Sequence, residues 1–129
     1  MPFIKGQSYE WEEIISDPER VAGPVFYLLH RRDTELVTAA CLDIAFNFRA
    51  PYEIWAGEGP EVKRWADILD AQVDSFDAFV RELDNRHYYR GRFRRIGSTR
   101  DANEIALRLA QAEERGPIYK ILFLEEVAP

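Results

Sequence analysis

Cysteine and methionine each occur once in the 129 residues, and histidine only twice. A lone Cys41 excludes an internal disulfide framework. Set in the apolar stretch LVTAACLDIAF, it reads as a small buried hydrophobe rather than a nucleophile, and a reducing, cytoplasmic location is expected. His30 and His87 stand in neither a His-Asn-His nor a Cys-x-x-Cys setting, so neither suggests zinc or a histidine-based nuclease centre. His30 follows an apolar run and precedes two arginines, the pattern of a histidine at a strand end. The chain also lacks G-x-G-x-x-G and G-x-x-x-x-G-K-[ST] phosphate loops, and Gly57-Glu-Gly59 is too short to stand for either. No charged-then-apolar leader is seen, and no apolar run approaches the roughly 20 residues of a membrane span. A soluble protein with no membrane partner is expected. Asp43 with Glu61-Val-Lys63 has the residue types that hold a divalent cation and activate water, the minority reading of a compact nuclease. Glu-x-Lys is common by chance and Glu61 opens a helix, so the expectation is no catalytic residue, no metal, no cofactor and no enzyme activity.

What the chain does have is localised positive charge. Residues 86–100, RHYYRGRFRRIGSTR, hold six arginines and no acid, while the rest of the chain carries the other 11 of the 17 Lys and Arg and all 23 Asp and Glu, for a net charge of -6. Read as a strand, the segment alternates, placing Tyr88, Arg90, Arg92 and Arg94 on one face and Tyr89, Gly91 and Phe93 on the other. The basic face would present guanidinium groups about 6.6 Å apart, suited to successive phosphates or to carboxylates of a partner. The plainer reading is a solvated strand whose arginines pair with the protein's own acids.

With 47% hydrophobic and 13% aromatic residues, the chain can bury one core, and residues 1–129 read as one domain. Residues 3–15 suggest a short strand and a helical turn before the Asp17-Pro18 turn signal. Gly23-Pro24 precedes the apolar run 25–29, and with the mostly apolar 35–46 this reads as a hairpin or two adjacent strands. A short strand at 52–55 follows Ala50-Pro51. Val62, Trp65, Ile68 and Leu69, then Phe76, Phe79, Val80 and Leu83, recur at helical spacing and predict two short helices or one broken helix. After the arginine strand, Asp101-Ala-Asn-Glu104 has the spacing of a helix start, with the helix running through 115 to a Gly116-Pro117 stop. Residues 118–124 form a final strand, apolar on both sides and therefore central. Strands, short helices, strand, helix, strand is not a regular βαβ alternation. It predicts an α+β fold with a curved mixed sheet or open β-barrel and two to three short helices.

Tyr52-Glu-Ile-Trp-Ala-Gly-Glu-Gly59, with Trp65-Ala-Asp67 beyond it, gathers rings, glycines and carboxylates. Aromatic faces can stack on bases and carboxylates can accept hydrogen bonds from exocyclic amines; equally, Trp55 and Trp65 can be core anchors beside an ordinary turn. The order Gly6-Gln-Ser-Tyr9, Glu13-Ile14, Gly23, Asp43, Tyr52-x-x-x-x-Gly-Glu-Gly59, Asp67, Tyr89-x-Gly-x-Phe93 and Tyr119-Lys-Ile-Leu-Phe-Leu124 resembles the SRA-like domain attached to HNH nucleases in McrA-type, modification-dependent restriction proteins. The resemblance spans almost the whole chain. It implies a PUA-like or SRA-like curved barrel that binds DNA and flips a modified base, with Asp43, Tyr52, Trp55 and Glu58 near the base pocket and Arg86, Arg90, Arg92 and Arg94 near the nucleic-acid backbone. Pro60-Glu-Val-Lys-Arg-Trp65 replaces the glycine-rich loop of such domains, and the nuclease half is missing, so a separate nuclease or effector chain is the implied partner.

The resulting expectation is a noncatalytic nucleic-acid-binding domain that reads modified or flipped bases in DNA. The rival expectation is an adaptor domain in which Arg90, Arg92 and Arg94 bind an acidic protein partner.

Overall fold

The computed structural model describes residues 3–18, 20–22, 27–112 and 115–128. Gly23-Pro24 and the start of the expected 25–29 strand lie outside them, as do Glu113 and Glu114 at the expected helix end. Eight strands form one open sheet: β1 (Ser8–Tyr9), β2 (Arg20–Ala22), β3 (Leu28–Arg31), β4 (Val37–Asp43), β5 (Glu53–Ala56), β6 (Phe76–Arg81), β7 (His87–Thr99) and β8 (Lys120–Glu126). Their order is β2-β3-β4-β6-β7-β8-β5, with β1 added beside β7. Only β4 and β6 run parallel, and the remaining pairs are antiparallel. With three helices, α1 (Trp11–Ile14), α2 (Pro60–Asp70) and α3 (Ala102–Gln111), this is an α+β protein built on an open mixed sheet. None of the described helices is long and apolar enough to cross a membrane.

Strand alternation sorts the apolar residues between the two faces. Ala40 and Leu42, Ile54, Ala78 and Val80, Phe93, and Leu122 and Leu124 join Trp65 and Leu69 of α2 in one cluster. The opposite face carries two clusters. Ala39, Cys41, Phe79 and Tyr89 pack with Ile14 of α1, while Trp55 and Ile121 pack with Ile118 and Ala112, beside Ile105 and Leu109 of α3. The arginine strand therefore runs between α1 and α3 on one side and beneath α2 on the other.

Most expected elements are present, with boundaries moved by a few residues. β3 and β4 form the expected hairpin, and β8 lies between β7 and β5. Asp101 caps α3 by accepting from the Glu104 amide at 3.0 Å, as the acid-x-x-Glu spacing predicts. One element differs in kind. In place of the helix expected from Phe76, Phe79, Val80 and Leu83 there is a strand and a turn: residues 76–80 are all buried, because β6 is central and covered on both faces, and Leu83 lies in the turn after it. A short run that is apolar except for Asp77 satisfies both periods, and its length and pairing decide.

Candidate nucleic-acid interface

β7 is a strand of 13 residues, as expected, but its alternation is interrupted. Gly91 pairs with Ala78 and Tyr89 with Phe79, so Arg90 is an extra residue, a β-bulge. Gly91 sits at φ 111°, in the region that favours glycine, and a Cβ there would lie 3.0 Å from the Glu126 carboxylate. The bulge reverses the phase of the strand. Tyr89 and Phe93, expected on one face, enter different clusters on opposite faces of the sheet. Tyr89 instead shares its face with Arg92, and both donate to one carboxylate.

That carboxylate is Asp77, buried on β6. It accepts from the Tyr89 hydroxyl at 2.8 Å and from Arg92 Nη1 at 3.2 Å through one oxygen, and from Arg20 Nη2 at 2.9 Å through the other. Burial and the bond to Asp77 push the Tyr89 hydroxyl pKa well above its ordinary value. Arg92 also binds the Ser75 hydroxyl and carbonyl at 2.9 Å. Beside this cluster lies a cleft of about 330 Å³, into which Arg20 of β2, Arg31 of β3 and Arg92 of β7 converge with Thr38, Asp74 and Ser75. Of these arginines, Arg31 has no hydrogen bond or ion pair from its side chain among the described residues.

The other arginines divide into held and free. Arg94 is paired with Glu125, Arg95 with Asp70 at 2.7 Å, and exposed Arg86 reaches Glu10 only at 4.0 Å. Arg90, on the bulge, makes no ion pair among the described residues. The plainer reading therefore holds for Arg92, Arg94 and Arg95, while the side chains of Arg90 and Arg31 have no ion pair among the described residues.

The four residues nominated as a base pocket are placed apart. Tyr52 is 50% exposed and lies edge-on to Phe93, on the α2 side. Trp55 is sealed on the other face under α3, its indole N–H donating to Glu53 at 2.8 Å. Asp43 ends β4, where it accepts from the Ala45 amide and faces Arg81 at 3.5 Å. Glu58 is exposed in the loop before α2. Trp55 and Trp65, both buried, are core anchors.

Asp43, Glu61 and Lys63 likewise have separate partners, since Glu61 faces Arg64 and the Lys63 ammonium lies over the Tyr119 ring at 5.2 Å. No three His, Cys, Asp or Glu among the described residues are grouped to hold a metal ion. Burial raises the Cys41 thiol to about 12, so it is protonated at neutral pH. Sequence reasoning missed Arg20, Arg31, Thr38, Ser75 and Asp77. Asp77 carried the one available signal: a lone acid inside the apolar run Phe76 to Val80 must find donors if that run is buried. Comparison with family models, curated proteins and solved structures finds no significant match.

Proposed function

We propose that this chain is a noncatalytic nucleic-acid-binding domain, with the phosphate backbone contacted by Arg31 and Arg92 at the cleft between β2, β3 and β7 and by Arg90 and Arg94 elsewhere along β7. The observation that carries the reading is that Arg31, in the cleft with Arg92, and Arg90, on the same strand as Arg92 and Arg94, have no ion pair among the described residues, while Arg92 and Arg94 are half-exposed. A cation without an internal partner gives up no ion pair on meeting a phosphate. Selectivity for modified or flipped bases in DNA, and action through a separate effector chain, are the finer parts of the proposal and rest on the resemblance to SRA-like domains. The cleft supports them only in offering donors and acceptors together. Fluorescence anisotropy with labelled DNA duplexes, modified and unmodified, tests the reading. Binding at about 50 mM salt that the joint Arg31→Ala and Arg90→Ala replacement weakens is the expected result. No binding at that salt would end the proposal.

A second reading is favoured by the ion pairs of Arg92, Arg94 and Arg95: an adaptor domain that binds an acidic protein by exchanging these internal carboxylates for those of a partner. Binding of an acidic peptide, sensitive to Arg94→Ala, in a protein that ignores nucleic acid would select it.

A further inference from the structure

Side chains as large as Phe46, Phe48 and Leu83 are ordinarily core residues, yet here they are 54%, 46% and 88% exposed. They are also clustered. Two adjoining hollows, of about 820 and 590 Å³, share Ala45, Phe48 and Leu83. Ala110 and Ala112 at the end of α3 extend the apolar floor of the larger one, and Leu83 stands at the turn joining β6 to β7. A contiguous apolar patch of this kind marks an interaction site.

The rim tells which partner fits. Arg115 lines the far end of the larger hollow, and Glu82 and Asp84 line the smaller. The Arg115 guanidinium is bonded to carbonyls only, those of Phe46 at 2.7 Å, Gly116 at 3.2 Å, Pro117 at 3.4 Å and Trp55, so among the described residues no carboxylate neutralises it. The Glu82 side chain, at the other end, has no ion pair among the described residues. Asp84 accepts from the Tyr88 hydroxyl at 2.6 Å and the Arg86 amide at 2.9 Å. A uniformly basic segment would oppose Arg115, and a uniformly acidic one would oppose Glu82. The groove calls for a partner with both signs in reversed order, flanking an apolar knob.

We propose that this groove is the interface of a two-fold homodimer, in which Leu83 of each copy enters the hollow beside Phe46 and Phe48 of the other. The rotation sets each Arg115 against Glu82 and Asp84 of the second copy. An isologous contact supplies the reversed charge order by symmetry, without any further feature of the chain. The inference does not depend on nucleic-acid binding, because Arg31, Arg90 and the cleft residues take no part in it.

Sedimentation equilibrium from about 1 µM to about 200 µM decides it. The expected result is a mass rising toward two chains, with Leu83→Glu and, separately, Glu82→Arg each weakening dimerisation roughly tenfold or more. The Glu82→Arg effect should shrink at high salt, because it sets like charges against each other. Both variants should melt as cooperatively as the parent, since neither side chain is buried. A parent protein that stays monomeric throughout overturns the proposal and leaves the groove to a different partner. So does a dimer that neither substitution weakens.

Discussion

At Gly91, a single residue fixes which chemistry β7 can present. Its positive φ allows the bulge at Arg90, the bulge brings Tyr89 and Arg92 to one face, and both then reach Asp77. Gly91→Ala is expected to destabilise the fold by about 1–3 kcal/mol, from backbone strain and the crowding of Glu126. Urea denaturation measures this, and a loss below about 0.5 kcal/mol would contradict the strained-bulge account. His87, earlier on the same strand, makes the stability pH-dependent. Burial and then the nearby Arg81 hold its pKa below the ordinary histidine value, against the weaker pull of Glu10 and Asp43. The unfolded chain binds that proton more readily, so the contribution of neutral His87 is intact above about pH 6.5 and is lost as pH falls through the depressed folded value. The parent should therefore lose urea resistance as pH falls below about 6.5, and His87→Gln should flatten that part of the profile.

Among the elements, α3 is held by more than its apolar stripe. Arg108, its side chain 6% exposed, donates to both carboxylate oxygens of Glu53 on β5 at 3.2 and 3.1 Å, and to Glu104 at 2.6 Å. Burial raises the Glu53 pKa, but the bonds from Arg108 and Trp55 outweigh it and leave the group below its usual range. Removing one partner strands the other charge, so Arg108→Met is expected to cost about 3–5 kcal/mol, while Arg108→Met with Glu53→Gln should recover part of the loss. Thermal melts of the two variants check the order; a double variant no more stable than the single one would show that the pair does not act as argued. The start of α3 was legible in sequence because Asp101 and Glu104 are local signals, but the Arg108 pairing was not, because its partner lies 55 residues away. The same limit explains β6. A five-residue run of four apolar residues around Asp77 cannot by itself choose between helix and strand, and its parallel partner β4 lies across the intervening β5 and α2. The arginine strand was legible in outline, with Arg92 and Arg94 exposed and Phe93 buried, whereas the bulge that separates Tyr89 from Phe93 depends on the register with β6.

For the molecule as a whole, a net charge of -6 opposes approach to any polyanion. Binding would then depend on the cleft field overcoming a repulsive average, which makes ionic strength the most informative variable. If Arg31, Arg90, Arg92 and Arg94 each meet a phosphate of duplex DNA, counterion release gives a slope of log K against log salt near -3.6, or about -0.9 per contact. Removing Arg31 and Arg90 together should then reduce the slope by about 1.8. Replacing Arg94 should cost less affinity than replacing Arg90, because Arg94 leaves an existing bond to Glu125 whereas Arg90 leaves none among the described residues. Binding isotherms between about 25 and 200 mM salt give all three numbers. A slope near zero would mean that these cations do not contact phosphates. A slope unchanged by the Arg31 and Arg90 replacements, with binding retained, would move the contact surface away from the cleft. Equal effects of Arg90 and Arg94 would show that internal pairing with Glu125 does not restrain the strand, and that all of its guanidinium groups act as one exposed row.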